Sequence, residues 1–470
     1  MSFGSRTAGW IASAIMAATV CYSVFRIPIQ MTDSLIPLLD AQRTPSVAAA
    51  FASGATNAGY FRPLRAAQIQ AVYEVANGHY FAAFKGYQAV FVVIVFALFV
   101  TALEIDSRER LAALLFALTV LVGLHTFRGT VWEAYPVNHS LEVVAFCLLA
   151  LVLARSKGGM WTDGAAALTF VAAAFTVESG LLVWVVMVAA WLAGARGISR
   201  RGVLIVSGLL VGYLAIRFAY LRTGVPALSE RSSGFGLRQL GPDELQQRFG
   251  AHPYVFYAYN VMSSILTVLF SEPRAGVWTI PAEYLRGRVA AGTVINVLSS
   301  AITTTAIAWF VVRRIPVWLR LRFDRDDQLM LVALAMLAAN AVISYSYTKD
   351  EIMGPAGVFY AIAAFVAVAH VLRGADRSGP RNAAVALTMA LFVAASGWVV
   401  RTAGLHYQMH LMTFYDRNEW VYVDDWLVRQ KSTPTTTEGK ALVQQLRNDA
   451  IERRTIDPYL LSPRLDQWFR

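Results

Sequence analysis

Ionisable side chains recur at the ends of apolar runs in this chain, and their types suit proton transfer and anion binding. Asp33 and Asp40 follow the first apolar run, and Arg62, Arg65 and Lys85 precede the second or begin it. A positioned carboxylate can take a proton from an attacking hydroxyl group. A guanidinium can hold phosphate oxygens in a planar fork. These residue types predict a site where an anionic substrate meets an acid or a base.

Further members of this set follow the later apolar runs. They are Arg128, Glu133 and His139 between the third and fourth runs, Glu178 in the turn "TVESG", and Lys349 and Asp350 in "SYTKDEIMG". Each residue alone has an ordinary interpretation, such as a helix cap, a surface ion pair or a cation that reaches lipid headgroups. The convergence of both charge signs at one side of a membrane is the stronger indication of a site.

Composition defines the class of protein. The 470 residues are 57% hydrophobic and only 15% charged, whereas an ordinary soluble domain is about 25% charged. Repeated apolar runs near membrane-spanning length indicate an all-α polytopic membrane protein. The net charge of +11 lies mainly in short loops, so it indicates orientation in a membrane rather than a nucleic-acid partner.

The apolar runs predict about eleven transmembrane helices. We place them at about 8–28, 86–104, 111–127, 137–154, 164–177, 180–195, 202–221, 289–312, 328–346, 354–372 and 383–402. The stretch 253–270 is predicted to be re-entrant or interfacial, because a full crossing would put the basic segment "RRIPVWLRLRFDR" outside. Basic loops stay in the cytoplasm.

This orientation predicts a multi-pass protein of a bacterial inner membrane, with a cytoplasmic N-terminus and a periplasmic C-terminus. Residues 1–403 would form the membrane domain, with external segments at 29–85 and 223–288, and 404–470 would form a short external tail. In the first loop, Ile69, Val72, Tyr73 and Ala76 fall on one helical face after Pro63, which predicts a helix lying in the membrane interface. The acid run "DRDD" at 324–327 would be cytoplasmic, away from the site.

Several stretches resemble one enzyme superfamily. Asp33 after the first span, "YFRPL" at 60–64 and "AVYEVANGHYFAAFKGYQ" leading into the second are similar to GT-C membrane glycosyltransferases, as are "HTFRGTVWEAYPVNHSLEVVAF" at 125–146 and "FTVESGLLVW" at 175–184. The nearest likeness is to bacterial relatives of protein O-mannosyltransferases and aminoarabinose transferases. The resemblance covers about residues 8–195 and extends to the rest only through architecture.

The resemblance implies a GT-C-like bundle and an inverting transfer of a sugar from a polyprenyl-phosphate donor to a lipid, glycan or protein hydroxyl group at the periplasmic face. Asp33 would be the general base, and Arg62, with Arg128 or Lys349, would hold the phosphate. Glu133, His139 and Glu178 would line the sugar pocket, and Arg65, Lys85 and Asp350 are further substrate-binding candidates. We expect membrane lipids as partners, no cofactor, and no metal, because no acids are spaced for one on the external side.

Two other functions remain open at this point. A transporter or flippase of lipid-linked anions also needs many spans and a charged cavity, although the sequence shows no matching halves. A non-catalytic assembly subunit would tolerate the loss of Asp33 and Arg62.

Overall fold

A computed structural model describes residues 2–57, 60–133, 135–222, 232–234, 238–271, 279–346, 348, 350–375 and 381–453. Most of the described residues are helical, and one short antiparallel hairpin is also present. The first half of the chain contains the helices α1 Ser2–Val24, α2 Leu35–Arg43, α3 Val47–Thr56, α4 Pro63–Ala76, α5 Tyr80–Leu103, α6 Arg108–Gly123, α7 His125–Val131, α8 His139–Arg155, α9 Met160–Thr176, α10 Leu182–Leu192 and α11 Arg200–Leu214.

The second half begins with the hairpin, in which Ser232 pairs with Leu240. Short single turns occur in both halves. Three are 3-10 turns, over Glu178–Leu181, Glu351–Met353 and Trp420–Tyr422, and a π-helical turn over Ala215–Tyr220 extends α11. The remaining elements are β1 Ser232–Gly234, β2 Arg238–Leu240, α12 Pro242–Phe249, α13 Tyr254–Phe270, α14 Thr279–Leu285, α15 Ala291–Trp318, α16 Arg325–Ile343, α17 Gly354–Ala375, α18 Arg381–Glu419, α19 Val423–Arg429 and α20 Thr437–Ile451.

The helices confirm a polytopic membrane protein. Within the described residues, seven helices are long and apolar enough to cross a membrane, or nine if each of two bent pairs is one span. The predicted number of about eleven is therefore not confirmed. One bent pair joins α12 and α13 at 100°. A broken span and a re-entrant loop share this geometry, so the re-entrant interpretation of 253–270 stays a prediction.

Helix α17 forms the centre of the bundle, and almost all of its membrane-length segment is buried. It packs against α6, α8, α15 and α16. Large side chains such as Phe359 and Phe365 are fully enclosed there. Helix α18 packs against α6 and α15, and α1 packs against α5 and α6. Burial of this apolar surface between helices fixes their relative positions, and with them the ends that carry the polar residues.

The first loop contains three helices rather than one. Helices α3 and α4 form a closely packed pair, and α2 lies against α4. Helix α4 begins as predicted at Pro63, whose missing N–H suits a first helical position. Gly54 of α3 makes the pair possible, because a β-carbon there would lie 2.8 Å from the Pro63 Cα atom. The start of α4 is thus held tightly by α3.

Helix α18 does not end near the predicted limit of the last span at residue 402. It runs unbroken over 39 residues from Arg381 to Glu419, so a boundary between 403 and 404 would cut a continuous helix. The following segment folds back onto the first loop. Leu446 of α20, Trp420 and Leu38 of α2 share one apolar cluster. The described part of this segment, up to residue 453, therefore packs on the helices of the first loop.

Candidate functional site

A large cavity opens at the end of the bundle where α1 ends and α8 and α17 begin. Its volume is about 810 Å³, within the 300–1,000 Å³ that ligand pockets usually occupy. Ionisable residues from six parts of the chain line it: Asp33, Asp40, Arg62, Arg65, Glu133, His139, Glu178, Arg217 and Glu351. The structure thus brings Asp33 and Arg62 to the same hollow.

Arg62 occupies the N-cap position of α4, so the helix start aims its side chain at the turn between α9 and α10. There it meets Glu178, with Nη2 2.6 Å from Oε2 and Nε 3.1 Å from the same oxygen. Burial alone would lower the pKa of the guanidinium, but the adjacent carboxylate outweighs this and holds the pKa above its ordinary value. Arg62 is therefore a permanently charged member of the cavity wall.

Glu178 is shared between two guanidiniums. Its second oxygen lies 3.0 Å from Nη1 of Arg217, which also donates a hydrogen bond to the Tyr213 hydroxyl at 3.1 Å. Arg217 lies in the π-helical turn after α11, and its side chain is only 5% exposed. The tight turn before α10 depends on Gly180, where a β-carbon would collide with the carbonyl of Ala173. The single negative charge of Glu178 therefore offsets only one of the two positive charges of Arg62 and Arg217.

Arg65 lies one turn beyond Arg62, and its guanidinium stacks on the ring of Tyr135 at 3.9 Å. Burial and the nearby positive charge of Arg62 lower the pKa of Arg65. Among the described residues, Arg65 forms no ion pair with a carboxylate, in contrast to Arg62 and Arg217. An aromatic face is a weaker partner for a buried cation than a carboxylate. Arg65 is consequently the guanidinium best placed to receive an anion.

Glu133 lies in the wall of the cavity and is almost fully enclosed, with its side chain 6% exposed. It accepts hydrogen bonds of 2.9 Å from the Ser140 N–H and hydroxyl, and Nε2 of His139 lies 3.0 Å away. Burial raises its pKa to about 7, against the hydrogen bonds from Ser140 and the charge of Arg65. Near neutral pH this carboxyl group can therefore both donate and accept hydrogen bonds.

The two acids of the first loop lie at the exposed part of the cavity. The side chain of Asp40 is 66% exposed and lies 4.0 Å from Arg43, which is a weak surface contact. Asp33 is also exposed, directly before α2. Its neighbour Thr32 donates a hydrogen bond to Glu419 at 3.3 Å, so this corner is tied to the end of α18. A carboxylate here can exchange protons with water.

The structure does not bring every predicted residue to this cavity. Lys85 is buried elsewhere, with its ammonium group 3.4 Å from Gln88 Oε1. Arg128 and Asp350 lie 3.9 Å from one another as an ion pair and are not part of the lining of this cavity, and their role in binding substrate stays a prediction. Lys349 falls outside the described residues.

Two charged lining residues, Arg217 and Glu351, were not among the predicted site residues. Arg217 stands inside the apolar run 202–221, and an ionisable residue within such a run is itself a signal of function. Glu351 directly follows Lys349 and Asp350 in the sequence, and the structure places it in the lining, on the turn at Glu351–Met353 against which α7 packs. Among the described residues, no three His, Cys, Asp or Glu side chains are grouped to hold a metal ion.

The chain was compared with models of protein families, with curated proteins and with solved structures, and none of them matches.

Proposed function

We propose that this protein is an inverting GT-C-type glycosyltransferase that moves a sugar from a polyprenyl-phosphate donor to a hydroxyl group of a lipid, glycan or protein acceptor at the periplasmic face. The observation that carries the proposal is the cavity itself. It combines three guanidiniums, of which those of Arg62 and Arg217 share the carboxylate of Glu178, with four further acids at the mouth and in the wall. The group of Arg62, Arg65, Arg217 and Glu178 keeps a local surplus of positive charge, which suits a phosphate.

The donor's isoprenoid tail would remain in lipid while its phosphate reaches the cavity. The bundle is suited to this, because helices such as α11 present apolar side chains outward, Leu204 and Val211 among them, and Arg217 in the turn that continues α11 faces the cavity. The tail could lie along apolar helices with no need to bury its whole length in the protein. An apolar helix surface next to a cavity with guanidiniums favours a lipid-linked donor over a soluble nucleotide sugar.

In the reaction, the acceptor oxygen attacks the anomeric carbon from the face opposite the phosphate. The bond between that carbon and the phosphate oxygen breaks, and its electron pair stays with the departing polyprenyl phosphate. Arg65, supported by Arg62 and Arg217, stabilises the added negative charge in a site of low dielectric constant. One displacement inverts the anomeric configuration.

The acceptor hydroxyl loses its proton to a carboxylate, for which we propose Asp33. Its exposed position lets the proton pass on to water after each turnover. Glu133, which is partly protonated near neutral pH, would instead hold a sugar hydroxyl, with His139 beside it. The two acids thus have different environments and different roles.

A transporter of lipid-linked anions needs access from both ends of the bundle. The opposite end is tied by ion pairs between the helix ends, including Arg110 with Asp326 at 3.0 Å and Arg314 with Asp327 at 2.5 Å. This favours a site that works from one face.

The test is sugar transfer in proteoliposomes with radiolabelled polyprenyl-phosphate sugars. We expect product from the native chain and a rate about 10²–10⁴-fold lower for Asp33→Asn, the usual contribution of a general base. Asp425→Asn is the matched control, because Asp425 is an exposed acid of α19 outside the cavity. Equal rates for native and Asp33→Asn would remove Asp33 from this role, and no transfer from any donor in the panel would contradict the function.

A further inference from the structure

The two acids assigned to the reaction lie on segments that share a neighbour, the end of α18. Asp33 ends the segment 29–33, which follows α1, and Glu133 directly follows Trp132, the last residue of the turn that closes α7. Neither acid lies within a helix. Side-chain contacts, rather than a helix backbone, therefore fix where each acid stands.

Asp416, in the last turn of α18, contacts both segments and is only 3% exposed. Its Oδ2 atom accepts a hydrogen bond from Nε2 of Gln30 at 3.1 Å and another from the indole Nε1 of Trp132 at 3.0 Å. A carboxylate is costly to bury unless it is hydrogen-bonded. The two donors that satisfy Asp416 come from the segments that carry Asp33 and Glu133.

Gln30 completes a closed set of three side chains. Besides its bond to Asp416, its Nε2 atom donates to the main-chain carbonyl of Trp132 at 2.9 Å, and Gln30 is only 4% exposed. The segment of Asp33 is thus bonded directly to the segment of Glu133. Because an unsatisfied buried donor is unfavourable, these bonds favour one arrangement of the two segments over others.

The residues after Asp416 hold the segment of Asp33 at two more points. The Trp420 indole donates to the Ile29 carbonyl at 2.8 Å, and the Thr32 hydroxyl donates to Glu419 at 3.3 Å. Residues 29, 30 and 32 are therefore all bonded to the end of α18. Asp33 is the next residue along the chain.

Helix α5 holds the segment of Glu133 from the other side. The Gln88 amide donates to the Val131 carbonyl at 2.5 Å, and Lys85 lies 3.4 Å from the Gln88 amide oxygen. Lys85 and Asp416 are close enough for their charges to attract each other. This arrangement gives the buried Lys85 a place in the support of the cavity wall.

We propose that Asp416 is a positioning residue for the sugar transfer, which sets the place of the base Asp33 relative to the sugar hydroxyl held at Glu133. The inference rests on the proposed function, because it assigns Asp416 a part in that reaction. Asp416 is not among the residues that line the large cavity, and it acts through Gln30 and Trp132. A displacement of about 1 Å between reacting groups can lower a rate about 100-fold.

The first experiment compares steady-state kinetics of the purified full-length protein and its variants in proteoliposomes. We expect Asp416→Ala to lower kcat about 10–100-fold and to change the donor KM less than about threefold, because Arg65 still holds the phosphate. Asp416→Asn keeps an oxygen that can accept both bonds, so it should restore most of the rate. Thr413→Ala is the matched control, because Thr413 is buried one turn earlier and bonds the Met409 carbonyl of its own helix.

The second experiment does not depend on activity. Hydrogen–deuterium exchange well below the Tm should be faster in Asp416→Ala at residues 29–33 and 131–133, and native-like in Asp416→Asn and Thr413→Ala. A substitution that only destabilised the fold would raise exchange throughout the helices.

Trp132→Phe tests the same contact if Asp416→Ala fails to fold, because it removes the indole N–H and keeps an aromatic ring. We expect it to lower kcat about 3–10-fold, a smaller displacement of the same groups, and to speed exchange at 131–133.

The outcomes separate this inference from the proposed function. If the native chain transfers sugar, a native kcat with native exchange in Asp416→Ala or Trp132→Phe would overturn the positioning role and leave the function intact. So would a loss of rate in Asp416→Asn as large as in Asp416→Ala, or faster exchange spread over the whole bundle. If the native chain transfers no sugar, the function is contradicted, and the exchange pattern alone decides whether Asp416 orders the two segments.

Discussion

The two ends of the helix bundle are both rich in charge, but they use it differently. At the end opposite the large cavity, five guanidiniums all have a carboxylate partner: Arg110 and Arg373 share Asp326, Arg155 and Arg325 share Glu104, and Arg314 binds Asp324 and Asp327. At the cavity end, Arg62 and Arg217 share Glu178 in the same way, but among the described residues Arg65 has an aromatic ring and no carboxylate at ion-pair distance.

This difference separates structural charge from functional charge. The run "DRDD" has the composition of a metal site, yet Asp324 and Asp327 cap α16 and bind Arg314. They are already satisfied within the protein. An arginine such as Arg65, with no carboxylate at ion-pair distance among the described residues and beside an open hollow of about 810 Å³, is suited to an anion from outside.

The largest effect on stability is expected at the closed end. The side chain of Asp327 is fully buried and accepts bonds from Arg314 and the Trp318 indole. Asp327→Ala should lower the free energy of unfolding by about 3 kcal/mol, because it leaves buried donors unpaired. Donor affinity of the folded protein should stay unchanged. Chemical denaturation measures the free energy of unfolding, and a binding assay measures donor affinity. A fall in donor affinity would contradict a purely structural role of Asp327.

The next effect is expected at Arg65, which forms no ion pair with a carboxylate among the described residues. Arg65→Gln should weaken binding of polyprenyl phosphate about 10–100-fold, the loss of one charge-assisted contact, and change stability little. Arg373→Gln is the matched control, because Arg373 is paired with Asp326 at the other end. Isothermal titration in detergent measures both. Equal losses of affinity for polyprenyl phosphate in Arg65→Gln and Arg373→Gln would contradict the proposal that the cavity end, and not the opposite end, binds the phosphate.

Glu133 gives a pH-dependent prediction. Its pKa rises on folding from an ordinary 4.5 to about 7 because of burial. The folded protein therefore holds this proton more tightly than the unfolded chain, so stability falls as pH rises from 4.5 to 7 and then levels. Glu133→Gln should lack this fall. Tm values at pH 5 and pH 8 test it, and parallel pH profiles for native and variant would contradict the assignment.

The smallest effect is expected on the exposed surface. Asp424 lies 3.2 Å from Arg447, with its side chain 76% exposed. Asp424→Asn should change stability by less than about 1 kcal/mol and leave transfer unaffected. A clear loss of activity would instead place the tail segment within the site.

Hydropathy was sufficient to predict the membrane class, Pro63 indicated the start of α4, and ionisable residues indicated several of the loops that meet at the cavity. It could not give the end of α18, because residues 404–419 continue the helix with a more polar composition that an apolar-run criterion ignores. Arg217 was not predicted as a site residue for a related reason. It was counted as part of a span, and only the packing of α11 near the turn at Glu178 gives it a partner.

The proposed roles of Lys85 and Arg128 show a second limit. Both stand at span ends, as Arg62 does, yet Lys85 turns toward Gln88 and Arg128 toward Asp350. Side-chain direction at a helix end depends on neighbouring helices that are distant in sequence. Position along the chain therefore selects candidates, and packing decides which of them share a cavity.

The most direct test is a structure of the native protein with a bound polyprenyl phosphate, determined by electron cryomicroscopy in a lipid nanodisc. The account predicts phosphate density within hydrogen-bonding distance of the Arg65 guanidinium, near the Arg62–Glu178 pair. The isoprenoid chain of the polyprenyl phosphate should leave the cavity between helices toward lipid. Phosphate density at the ion-paired end, or at the surface with the cavity empty, would contradict it.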